Sequence, residues 1–339
     1  MKKFLGKIFA TVLAITTVFS LTACNKKAEL KDDAEIYMPD GAPALAMAKL
    51  IAEDYEDADF HVVEASTIQT YVTGENPKAD LCVLPLNAAV KLLGTGEKYK
   101  MLGTVTHGNL YLISTDGETV YDKPSDLAGL IGKKVGAIQL QNVPGLTLKL
   151  ILDKNEIPYQ TVEANGETAE DKVNLIAVEP ANITPALGYD AYLIAEPAAS
   201  AKIKGTANAQ KPFALVGDLQ KLYGGENGYP QAVLVGKSSF VAKNGEWVKN
   251  FLKEMPKAAS WLTAETTKIS TIVSAVQDEL TDGLKPSFNE NNLTKDVIKA
   301  CGVYFTTASE SKAEVNAYLQ YLNSSSNLNL TAADAFFYA

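Results

Sequence analysis

Arginine is absent from this chain: all 31 basic residues among its 339 are lysine, against 40 Asp and Glu, for a formal net charge of −9. Without guanidinium groups there is no planar fork to read guanine edges, and a net-acidic chain repels a polyanion, so nucleic acid is excluded as a partner. Histidine is nearly absent too. His61 and His107 stand far apart, and no His, Cys or acidic cluster shows metal-ligand spacing, which leaves a metal carrier unsupported. Of the three cysteines, Cys82 and Cys301 lie in apolar surroundings, where two buried free thiols are expected rather than a disulfide. No nucleophile elbow or His–Cys pairing is legible. Gly236-Lys237-Ser238 lacks the upstream Gly of a phosphate-binding loop, so any ATPase must be a separate chain, and no cofactor is implied. What is present is ordinary globular material, 47% hydrophobic and 21% charged. The chain exceeds the ~250–300 residues that one core usually serves, and two lobes follow.

Three lysines within residues 1–7 precede an uncharged, mostly apolar run at 8–21, the n-region and h-region of an export signal. Leu21-Thr22-Ala23-Cys24 then looks like a bacterial lipobox, with Cys24 as the lipidated residue and 1–23 as the cleaved signal peptide. Two acyl chains on one Cys meet the two-signal requirement for stable membrane attachment. Removing Lys2, Lys3 and Lys7 takes the formal charge from −9 to −12, which favours solubility and not adhesion to anionic lipid. Residues 24–33 read as a polar linker. The expectation is a monomeric body tethered to the extracytoplasmic face of the cell membrane.

Beyond the linker, β-rich runs alternate with helix-period segments, which predicts an α/β fold with mostly parallel sheets. Strands are expected at 35–38, 60–65, 79–84, 100–106, 109–115, 173–178, 190–195, 212–216 and 229–235, with a turn and strand at 132–138, helices at 42–55, 86–93 and 144–155 and a helical region from 245 to about 321. His107-Gly108-Asn109 interrupts the apolar pattern where a segment would carry the chain into a second lobe. The predicted division is lobe I, residues 34–108 plus 230–339, and lobe II, residues 109–229. The aromatic end, Phe336-Phe337-Tyr338, is expected to dock on a lobe.

Four stretches carry a family resemblance: Met38-Pro39-Asp40-Gly41-Ala42-Pro43, Asp80-Leu81-Cys82-Val83-Leu84-Pro85, Asp126-Leu127 with Gly132-Lys133-Lys134-Val135-Gly136, and Asp190-Ala191 through Glu196-Pro197. Their order and spacing, joined to a lipobox, resemble the extracytoplasmic solute-binding proteins of ABC importers, of the nitrate, sulfonate, taurine and thiamine-precursor type. The stretch from Gln139 to Pro144 replaces the small Gly/Ser-rich turn of that family. The resemblance implies a two-lobed, hinged periplasmic-binding-protein-like type II fold, a small-molecule solute, and ABC permease and ATPase partners. It also implies no catalysis, with two alternatives: a menaquinone-pathway-like enzyme of the same fold acting on a small carboxylic acid, or a lipoprotein that senses a ligand without transport.

In open parallel sheets the crevice lies beyond the carboxyl ends of the strands, where helix N-termini leave N–H groups unpaired. Four strand exits are predicted to line it: Asp40, Gly41 and Ala42; Leu86 and Asn87; Gln139, Gln141 and Asn142; and Glu196. Helix N-termini favour an anion such as a sulfonate or nitrate. Asp40 and Glu196, if they face the cleft, favour N–H-bearing or cationic groups such as an aminopyrimidine; otherwise Asp40 caps a helix and Glu196 is a strut between strand and helix. Gln139, Gln141 and Asn142 either read the ligand or shape a turn. Ser66, Thr67, His107 and Asn109 complete the candidates, with His107 equally readable as a hinge or core residue. Tyr37, Tyr111, Tyr192 and Tyr229 either stack on a ring or belong to the core.

Overall fold

Each apolar run that ends in Pro or Gly and meets a helix-period segment folds as a strand running into a helix. The computed structural model describes residues 30–225, 228–326 and 328–339; the leader and the lipidation candidate Cys24 lie outside the described residues. In chain order, β1 (Ala34–Pro39), α1 (Ala42–Ala52), β2 (Ala58–Val63), β3 (Leu81–Pro85), α2 (Leu86–Leu93) and β4 (Tyr99–His107) come first. A second set follows: β5 (Leu110–Ser114), β6 (Lys134–Ala137), α3 (Val143–Lys154), β7 (Tyr159–Val162), β8 (Val173–Ala177), β9 (Ala191–Ala195), α4 (Ala198–Thr206), β10 (Ala214–Asp218) and α5 (Leu219–Tyr223). The chain returns through β11 (Pro230–Lys237) to α6 (Ser238–Lys243), α7 (Gly245–Glu254), α8 (Lys257–Thr263), α9 (Ile269–Gln277), α10 (Lys295–Ala300), β12 (Val303–Thr307) and α11 (Ala308–Ser326).

Two six-stranded sheets result, with orders β12-β4-β11-β3-β1-β2 and β10-β5-β9-β6-β8-β7. Both are mixed. β2, β1 and β3 are parallel, as are β7, β8, β6 and β9, while β11, β4 and β12 in the first sheet and β5 and β10 in the second run antiparallel to their neighbours. The antiparallel strands include those that enter and leave the second sheet, so the chain reverses direction where it changes sheets.

Two strands fall outside the sequence expectations. β7 is only 4 residues long and half-exposed. β12 interrupts the region read as helical; its Val-Tyr-Phe-Thr-Thr run is β-branched and aromatic, a signal that the flanking helical periodicity obscured. Helix α1 stops at Ala52 rather than 55, because Asp54 takes a left-handed φ of 49° and Tyr55 N donates to Leu50 O at 3.0 Å, closing the end.

One apolar cluster draws on both sheets. Leu86 and Leu84 from the first meet a set that includes Leu140, Val143 and Leu193 from the second, with Tyr229 and Tyr318 in the same cluster. Two further clusters cover the opposite faces, one under α1 and α7 to α9, the other under α4. Helix α11 packs on both α3 and β4, and Thr147 Oγ1 and Tyr318 Oη lie 2.6 Å apart between α3 and α11. The chain end docks on the first sheet: Tyr338 N donates to Met101 O at 2.8 Å, and Phe336 is fully buried. Among the described residues no helix is long and apolar enough to cross a membrane.

Candidate functional site

Strand β1 ends at Pro39, and the turn into α1 requires Gly41, whose φ of 99° would strain any side chain. Asp40 sits beside it. Its Oδ1 accepts from Gly41 N at 2.7 Å and its Oδ2 accepts from Ser287 N at 2.6 Å. A Cβ on Gly41 would stand 3.7 Å from Pro197 Cδ, so the start of α1 faces the start of α4 across the two sheets. On the α4 side, Glu196 spans the strand end and the first helical turn, accepting from Ser200 N at 3.0 Å and Ser200 Oγ at 2.7 Å. Asn109 joins this pair: its main-chain oxygen accepts from Glu196 N at 2.9 Å. Asn109 has a φ of 128°, is only 2% exposed, and its Oδ1 has no hydrogen-bond partner. An unpaired buried acceptor of this kind is costly and points to a partner that the chain itself does not supply.

The second pair of helix starts is α2 against α3. Asn87, in the first turn of α2, reaches over and accepts at Oδ1 from Val143 N, 3.1 Å away at the head of α3. Its Nδ2 donates to Gln141 O and to Asn142 Oδ1, both at 3.2 Å. Gln139 takes a φ of 44°, which turns the loop so that Asn142 N donates to Gln139 O at 2.8 Å and Asn142 precedes the helix. Asn142 Nδ2 also donates to Gln139 Oε1 at 3.4 Å. Leu86 is fully buried beneath Asn87.

The arrangement therefore opposes helix N-termini in two pairs, each with one member from either sheet. Like dipole ends that face each other need negative charge or acceptor atoms between them. The chain provides these locally: Asn87 Oδ1 at α3, the Asp40 carboxylate at α1 and the Glu196 carboxylate at α4. Burial pushes both carboxyls above the ordinary carboxylate range, while hydrogen bonds from Ser287 and Gly41 pull Asp40 back and those from Ser200 pull Glu196 back.

A scan of the sequence against protein-family models finds no match, and a search of curated proteins finds none either. Solved structures do match. An ABC transporter structure from Parabacteroides distasonis superposes with a TM-score of 0.66 at 16% identity, covering 91% of this chain and 99% of that one. The alkanesulfonate-binding protein SsuA from Xanthomonas axonopodis pv. citri, bound to MOPS, gives 0.57 at 17% identity, with 91% and 98% covered. The periplasmic nitrate-binding protein NrtA from Synechocystis PCC 6803 gives 0.59 at 14% identity, with 91% and 85% covered. The chain has the two-lobed periplasmic-binding-protein-like fold. At these identities the likeness speaks for the fold, and the site must be argued from this chain's own residues.

Within this two-lobed fold, the strand-exit candidates and Asn109 fall at the two helix-start pairs, and Ser66, Thr67 and His107 do not. Ser66 and Thr67 are exposed on a turn whose hydrogen bonds are local, Thr67 Oγ1 donating to Glu64 O at 3.0 Å. His107 closes β4 at the crossing: its N donates to Gly302 O at 2.9 Å and its ring stacks on Tyr304 at 3.8 Å. Tyr229 is fully buried and stacks on Tyr318 at 5.8 Å, and Tyr111 Oη donates to Ala300 O at 3.2 Å. Tyr192 is fully buried in the second sheet's outer cluster, and Tyr37 stacks on Tyr71 and His61. Cys82 and Cys301 are buried free thiols, and burial pushes both upward in pKa. A surface concavity of about 340 Å³, lined by residues between Ala259 and Tyr304, includes none of the candidates.

Two neighbours of the site were not singled out from sequence. Ser287 reaches Asp40 from 247 residues away, in a loop with no periodic signal. Lys149, 7% exposed, donates from Nζ to Leu140 O at 3.4 Å, and burial lowers its pKa. The apolar residues around it in α3 are the signal that could have flagged a buried lysine.

Proposed function

We propose that this chain is the solute-binding component of an ABC importer, with residues 34–108 plus 230–339 as lobe I and 109–229 as lobe II. A small organic solute is captured where the starts of α1 and α2 meet those of α4 and α3, and closure of the lobes presents it to a permease driven by a separate ATPase. The observation that carries this reading is the opposition of helix N-termini from two different sheets, which lets one ligand contact both halves and favour their closed arrangement. Cys24 would hold the body at the extracytoplasmic face of the membrane through its acyl chains.

The charge around the α1–α4 joint narrows the solute. The half-buried Asp40 carboxylate, the buried Glu196 carboxylate and the unpaired Asn109 Oδ1 are acceptors, and no arginine exists to reverse the local field. Such a lining suits a neutral or cationic molecule rich in N–H donors better than a sulfonate or nitrate, which would add negative charge to Asp40 and Glu196. Binding without turnover is the role proposed here, since the two carboxylates are engaged by main-chain N–H groups and by Ser200 rather than by a nucleophile–base pair.

A thermal-shift screen tests this, because a solute that binds only the folded chain adds about 2.7 kcal/mol at a hundredfold excess over Kd. Aminopyrimidines and other amine-bearing solutes are expected to raise Tm, and sulfonates and nitrate to leave it unchanged. Asn109→Ala is expected to reduce the shift. A solute converted to product on incubation, or a screen without any shift, contradicts the proposal.

A further inference from the structure

At the opposite end of β1 from the cleft, we infer that Glu35, Asp59 and His61 form a binding site for a zinc-type divalent cation. Glu35 lies on β1 while Asp59 and His61 lie on β2, and parallel register pairs Glu35 with Asp59 and Tyr37 with His61. One ligand atom from each residue falls within 4.8 Å of the others. His61 Nε2 is 2.8 Å from Glu35 Oε2 and 3.6 Å from Asp59 Oδ2. A tetrahedral zinc ion with bonds near 2.1 Å spaces its ligands about 3.4 Å apart, and these two separations bracket that value.

A single imidazole N–H points at one acceptor and cannot serve both carboxylates. A cation at their common centre can, and one neutral imidazole with two carboxylates balances a double positive charge. The register also sets two like charges side by side on neighbouring strands, a repulsion that a cation would remove. Glu279 adds a further carboxyl: its main-chain oxygen accepts from Val62 N at 2.8 Å, and the Asp59 charge, after burial, helps push its pKa up.

The ligands are held in place. Tyr37 Oη donates to Glu35 Oε2 at 3.2 Å, and the Tyr37 ring stacks on His61 with centroids 4.4 Å apart, its far face against Tyr71 at 4.2 Å. Outer contacts of this kind fix ligand orientation in metal sites. An imidazole in the set selects zinc over the oxygen-seeking magnesium and calcium. Three protein ligands leave a fourth position for water. The spacing of the sequence hides the site because His61 and Glu35 are 26 residues apart and meet only through strand pairing. Five residues of strand, about 16 Å, separate Glu35 from Asp40, so this site is distinct from the proposed solute cleft.

The test is calorimetric titration of the chelator-treated protein with Zn²⁺ alone, paired with thermal unfolding. One ion per chain and a rise in Tm are expected. His61→Ala should abolish binding, and Asp59→Asn should weaken it by at least about tenfold. Asp59 has a side chain 53% exposed, so its substitution leaves the core untouched and the result readable even if His61→Ala folds poorly. Absence of binding heat, a constant unchanged in Asp59→Asn, or an equal response to Mg²⁺ would overturn the assignment.

Discussion

His107 is buried in its uncharged form at the point where the chain leaves the first sheet. Its Nε2 lies 3.1 Å from Thr104 Oγ1 and 3.9 Å from Glu314 Oε2, its ring rests on Tyr304, and burial lowers its pKa from 6.5 to about 4. Gly302 makes this approach feasible, since a Cβ there would come within 2.0 Å of His107 O. The unfolded chain takes up the imidazole proton below pH 6.5 and the folded chain only near pH 4. Stability therefore falls as pH drops through that window, by on the order of 3 kcal/mol. Asp40 and Glu196 act in the opposite sense. Their pKa values are raised in the folded state, so their contribution is fully present below the unfolded carboxylate pKa and is lost as pH rises through the folded values. Urea unfolding at pH 7 and pH 4 separates these effects: His107→Gln is expected to lose most of the acid-side fall, and an equal fall in both proteins contradicts the assignment. The sequence alone left His107 as hinge or core, and Asp40 and Glu196 as cap, strut or ligand. The choice depends on partners such as Ser287, which are distant in sequence and carry no local signal.

Asn87 joins two helix starts that belong to different sheets. Its three hydrogen bonds to Gln141 O, Asn142 Oδ1 and Val143 N are the polar contacts that link α2 to α3. Replacing it with Ala leaves Val143 N and Gln141 O to water and removes this link, at an expected cost of about 1–3 kcal/mol. Small-angle scattering should then record a larger radius of gyration for Asn87→Ala than for the parent protein; equal radii would mean that this contact does not hold the halves together. Helix α2 itself was fully legible, because Pro85 precedes an amphipathic stretch and Gly94 follows it. Strand β12 was not, because a five-residue strand between helices gives too few periods to stand out, and it forms where β4 offers an open edge. The expected parallel sheets were legible as far as β-helix alternation reaches; pairing with β11, β4 and β12 depends on which edges remain open after the parallel core forms.

The whole molecule pairs two sheets through the crossing at His107 to Leu110, the return at Pro230 and helix α11, which packs on β4 of the first sheet and on α3 beside the second. Alternating strands and helices made the α/β class readable from the chain, and its length together with the family resemblance made the two lobes readable. The zinc-type cluster was not readable, since it requires the register of β1 against β2. The aromatic end was expected to dock and does so on β4, where Phe337 bridges to Met101. Solute capture between the halves is tested most directly by hydrogen–deuterium exchange, with and without the amine-bearing solute that raises Tm most. Protection is expected together at residues 39–42 and 86–88 from one sheet and 139–145 and 195–200 from the other. Protection confined to one sheet, or to the concavity between Ala259 and Tyr304, would contradict capture between the lobes.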